Sequence, residues 1–64
     1  MNTEVHLYLN GIRVGGSRMA NLPAEGARVN IIAKGTAFSC VVKDVTWFIP
    51  DGSEPYVHIQ LESS

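Results

Sequence analysis

Phe38-Ser39-Cys40-Val41-Val42-Lys43-Asp44-Val45-Thr46-Trp47-Phe48-Ile49 is one apolar run whose alternation slips by one position in the middle. Phe38, Cys40 and Val42 fall on even positions, whereas Val45, Trp47 and Ile49 continue the series on odd ones. A strand sends alternate side chains to opposite faces, so one extra residue near Lys43-Asp44 must absorb the slip. A β-bulge does this: it bends the strand and lets both halves line one small core. The run predicts a kinked central strand in a curled, all-β domain.

The flanking segments supply four more strands. Thr3 to Leu9 sets Val5, Leu7 and Leu9 on one side and Glu4, His6 and Tyr8 on the other. Asn10-Gly11 follows, a strong two-residue hairpin signal because both residues tolerate positive φ. Closing that turn pairs Leu9 with Ile12, Tyr8 with Arg13, Leu7 with Val14 and His6 with Gly15. Gly15-Gly16-Ser17 weakens the second strand and lets it twist away or bulge, and residues 16–27 read as a loop through Leu22-Pro23 and Glu25-Gly26. The third strand spans Arg28 to Ala33. Lys34-Gly35 turns it into the apolar run, setting Ile31 against Phe38 and Val29 against Cys40.

Residues 50–55 form a loop bounded by prolines. Tyr56 to Glu62 then alternates Val57, Ile59 and Leu61 against Tyr56, His58 and Gln60. Matching apolar phases sets Ile49 opposite Val57, Trp47 opposite Ile59 and Val45 opposite Leu61, with Phe48 opposite His58. Ser63 and Ser64 read as a frayed end. The expectation is one domain over 1–64: a five-stranded antiparallel meander, either a curled sheet or an SH3-like, partly open barrel. The Leu22-Pro23 … Gly26 … Val29 approach to a strand resembles that of SH3-like barrels, over residues 22–29 alone.

Composition narrows the functional classes. A chain of 64 residues buries only about 60% of the surface its unfolded form exposes, so its stability is marginal. Its single cysteine, Cys40, excludes an intrachain disulfide, which leaves association as the natural supplement and a homo-oligomer as the expectation. Five basic and six acidic residues give a net charge of −1, with no block of either sign. Duplex nucleic acid requires a basic stripe, and none is present. No apolar stretch reaches the ~20 residues that span a bilayer. Met1-Asn2-Thr3-Glu4 lacks the basic start of a signal peptide, and with one unpaired thiol the expected compartment is the cytoplasm.

The non-core phase carries the candidate site. Tyr8, Arg13, Phe48, Tyr56 and His58 fall on outward positions, with His6, Thr46 and Gln60 among them. Exposed rings in a cluster mark an interaction face, for a protein partner or for a second copy of the chain. His6 and His58 lack a third ligand, because Cys40 belongs to the opposite phase, so no metal or other cofactor is expected. Ser17, Ser39, Ser53 and Asp44 form no recognisable arrangement with these histidines, and the chain reads as non-catalytic.

Gly11 … Gly15-Gly16 precedes no helix and is not a phosphate-binding loop of the usual kind. A backbone nest near Arg13, Arg18 and Arg28 remains a candidate anion site. Trp47 lies on the core phase, with its indole edge a candidate ligand contact at the barrel mouth. Three readings follow. The first is a small oligomeric β-module acting by protein–protein interaction, of the kind found among bacterial and phage accessory or inhibitor proteins. The second is a binder that sequesters a nucleotide or other small anion, and the third a single-stranded nucleic-acid binder.

Overall fold

The computed structural model describes residues 2–64; Met1, the first residue of the expected leaderless start, lies outside them. Five strands make one curled sheet: β1 (Thr3–Leu9), β2 (Ile12–Met19), β3 (Arg28–Ala33), β4 (Thr36–Phe48) and β5 (Tyr56–Ser63). Both two-residue turns adopt the left-handed geometry their sequences require. Asn10 and Gly11 have φ of 52° and 81°, and Lys34 and Gly35 have φ of 51° and 79°. The bulge falls where the alternation slips, between Val42 and Asp44, so Lys43 is the extra residue.

The strand order is β2-β1-β5-β4-β3. It departs from an all-antiparallel meander at one place: β2 and β3 are the two edges of the sheet, and β1 pairs with β5 in parallel. A parallel pair needs a long crossover, which residues 10–55 supply. The pairing aligns two matched rows of aliphatics, Val5 with Val57, Leu7 with Ile59 and Leu9 with Leu61. β2 can offer no such row, because Gly15, Gly16 and Ser17 occupy its middle.

Two registers differ from the expectation. In β4–β5 the pairs are Trp47–Val57 and Val45–Ile59, two residues away from the predicted alignment, and Val42–Leu61, three away because the Lys43 bulge intervenes. A shift of two preserves every face. Phe48 consequently stands opposite Tyr56, and Thr46 opposite His58. In β1–β2 a second bulge makes Val14 the extra residue, so Leu7 faces Gly15 and His6 faces Gly16. Beyond it β2 continues to Met19, shortening the expected 16–27 loop to 20–27. The other end is less frayed than expected: Ser63 is in β5, and Ser64 bonds to Ser39 through both its backbone N–H and its Oγ.

Val5, Cys40, Val42, Val57, Ile59 and Leu61 are fully buried. Leu22 and Ala27 of the β2–β3 connection pack on this core, and the Gly26 N–H and Val42 C=O tie it down at 2.9 Å. Trp47 and Ile49, read as core from their phase, are 49% and 76% exposed. β4 ends at Phe48, so Trp47 lies in its last turn of alternation and Ile49 beyond it. Phe38 is also 49% exposed, on the β3–β4 hairpin beyond the reach of β5.

Ile59 pairs with both Leu7 and Val45 at the centre of the sheet. Ile59→Ala is expected to cost about 2–5 kcal/mol. That is a large share of the roughly 5–15 kcal/mol that holds a domain folded. Urea unfolding measures it, and a loss under about 1 kcal/mol contradicts this account of the core.

Candidate functional site

The outer face of the sheet gathers aromatic rings from three adjacent strands. β4 contributes Phe48, β5 contributes Tyr56 and His58, and β1 contributes His6 and Tyr8. Parity puts these residues outside: His6, Tyr56 and His58 each neighbour a fully buried aliphatic on their own strand, and Tyr8 and Phe48 fall on the same phase. The parallel β1–β5 ladder then sets His6 beside His58, and the β4–β5 ladder sets Phe48 beside Tyr56.

His58 is the hub. Its ring centroid lies 4.4 Å from Phe48, 4.8 Å from Tyr8, 5.4 Å from His6 and 5.6 Å from Tyr56. Phe48 and Tyr56 stack at 5.1 Å with their planes 8° apart, and His6 meets Tyr56 edge-on at 5.9 Å. Offset-stacked and edge-to-face pairs of this kind contribute about 0.5–1.5 kcal/mol each beyond their area. The result is a semi-rigid, half-buried patch of rings with nothing packed above it in the chain.

Polar groups frame the patch. His6 Nε2 lies 2.6 Å from Glu4 Oε2, and Thr46 Oγ1 donates to Asp44 Oδ2 at 3.1 Å. Arg13 flanks the rings from β2, opposite Tyr8 as its sequence position implied. Its guanidinium runs back over Gly16, where an added Cβ would stand 3.1 Å from Nη2 and 3.0 Å from the Val5 C=O. Gly16 thus keeps the path clear for Arg13.

The remaining candidates divide. Arg28 starts β3 at the far edge of the sheet, away from Arg13 and Arg18 on β2, so the three arginines do not converge. Arg18 and Trp47 do come together, lining a cleft of about 230 Å³ with Asn2, Thr3, Glu54 and Pro55. There Arg18 Nη2 donates to the Asn2 C=O at 3.4 Å and lies 3.5 Å from Glu54 Oε2. His6 is the residue that the sequence reading undervalued; its place beside His58 depends on a parallel pairing that no local signal marks. Among the described residues no three His, Cys, Asp or Glu side chains stand together as metal ligands would.

No protein-family model, curated protein or solved structure matches this chain. The site must be read from its own chemistry.

Partial burial among the rings, and then the positive charges of His6 and Arg13, hold the His58 imidazole below its ordinary pKa of 6.5. The folded chain therefore takes up this proton less readily than the unfolded chain does. Stability from this source is unchanged well above pH 6.5 and declines as the pH falls below it. Melting temperature is expected to drop between neutral and mildly acidic pH, and His58→Gln to flatten that slope. A variant profile parallel to the wild type's would count against the assignment.

Proposed function

We propose that this chain is a non-catalytic, oligomeric β-module that acts by protein–protein interaction through its ring-rich outer face. The observation that carries the reading is the convergence of Phe48, Tyr56, His58, His6 and Tyr8 on one uncovered surface. Rings pre-ordered by one another lose little entropy on docking, and interface centres favour Tyr, Phe and Arg. Arg13 and the Thr46–Asp44 pair provide a polar margin to such a centre. A cytoplasmic setting and an accessory or inhibitor role in bacteria or their phages belong to the same proposal. So does kinship with SH3-like barrels, which rests on residues 22–29. No helix among the described residues is long and apolar enough to cross a membrane.

The test uses the immobilised chain, a bacterial lysate and two variants. Phe48→Asp and Tyr56→Asp place charge on the ring face, outside the buried core. Both are expected to keep the wild-type circular dichroism and to lose captured protein by tenfold or more. Equal capture by wild type and folded variants overturns the reading.

A second reading has one observation in its favour. Arg18 and Trp47 share the 230 Å³ cleft, which combines a cation with an indole as a small planar anion requires. Glu54 competes for the arginine there. A nucleotide that binds this cleft raises the melting temperature of the wild type and not of Arg18→Gln, by linkage of binding to folding. No shift with any nucleoside mono-, di- or triphosphate removes the reading.

A further inference from the structure

The two edges of the sheet are protected very differently. β2 carries Arg13 and Arg18, a bulge at Val14 and the Gly15-Gly16 pair, all devices that discourage a foreign strand. β3 has none of these beyond its first residue. From Val29 to Val42 the chain has a single charged side chain, Lys34, and no proline. An edge of this composition is a template for association unless something covers it.

The same segment forms an arm. β5 reaches no further along β4 than Cys40, opposite Ser63, and Ser64 bonds to Ser39, so Thr36–Phe38 pair with β3 alone. The two-stranded tip is apolar on both faces. Ile31 opposes Phe38 on the inner side, and Ile32 opposes Ala37 on the outer. Ile32 is 75% exposed. A two-stranded ribbon is marginal in water without a further layer. Between the arm and the body lies a groove of about 300 Å³, lined by Leu9, Val14, Ile31, Ala33 and Phe38, with no charged residue.

The whole-molecule dimensions agree. The accessible surface is 4565 Å², whereas a compact chain of 7.0 kDa exposes about 4,000 Å². The radius of gyration is 11.9 Å, against about 10.7 Å for a compact domain of this length. The excess surface is a substantial part of the roughly 800 Å² per partner that a stable dimer covers.

We infer that the β3–β4 arm and its groove are the seat of a second copy of this chain, the two arms covering each other's grooves about a two-fold axis. This rests on the oligomeric part of the function proposed above and locates its seam away from the ring face. Self-pairing fits the surface, since Val29 to Ala33 present no charged side chain to a second copy, and a two-fold contact uses the same patch twice. It also closes the edges instead of propagating them.

Light scattering across a concentration series, with hydrogen exchange on the same samples, tests the inference. The wild type is expected to show twice the chain mass at high concentration, with amides of residues 30–39 gaining protection in step. Val14→Lys and Phe38→Lys, on opposite walls of the groove, are expected to give the single-chain mass. Ile49→Lys, 76% exposed at the far end of β4, is expected to leave the dimer intact. Phe48→Asp is also expected to keep the dimer while losing the captured partner, which separates this inference from the previous one. A wild type that stays monomeric, arm amides indifferent to concentration, or a dimer broken by Phe48→Asp and not by Val14→Lys overturns it.

Discussion

The parallel ladder between β1 and β5 holds the molecule together. On one side of it stands the β1–β2 hairpin, on the other the β3–β4–β5 meander, and no other strand pairing joins the two. Its inner face zips Val5, Leu7 and Leu9 to Val57, Ile59 and Leu61, which supply four of the six fully buried residues. Burial of each such side chain contributes about 1.5–3 kcal/mol, so a few positions dominate the stability of so small a domain. The same ladder on its outer face sets His6 beside His58 and Glu4 beside Tyr56. Core and candidate site are two sides of one pairing.

That pairing was also the part hardest to see in the sequence. Turns announce themselves locally: Asn10-Gly11 falls into the left-handed geometry that its residue types anticipate, and Lys34-Gly35 reaches the same geometry although Lys is a poorer choice than Asn at the first turn position. The slip in alternation located the Lys43 bulge without any knowledge of its partner strand. A parallel contact between the first and last strands has no turn of its own, and nothing short-range distinguishes it from an antiparallel alternative. The glycines announced a twist or bulge in β2 but not its place at Val14. Glycines at 15 and 16 have no side chains to reveal which register is satisfied.

The candidate face survived these misreadings because it depends on parity rather than on register. Moving β5 by two residues exchanged the partners of Phe48 and His58 and left both on the outside. Their rings still meet, at 4.4 Å, diagonally instead of directly across. Exposure was less legible than side. Trp47 and Phe38 lie on the inner phase, yet both are half exposed, Phe38 because it stands beyond the reach of β5. Alternation tells which way a side chain points, while only the stagger of the strands tells whether anything is there to meet it.

β5 is the middle strand of the sheet and the last of the five along the chain. During synthesis the two preceding hairpins therefore leave the ribosome with their inner faces wet, each too small to persist alone. Folding must wait for Val57, Ile59 and Leu61 to emerge, and then closes around them in one step dominated by distant contacts. Until β5 docks, the β3–β4 hairpin, with Lys34 its one charged side chain from Val29 to Val42, has no sheet to join.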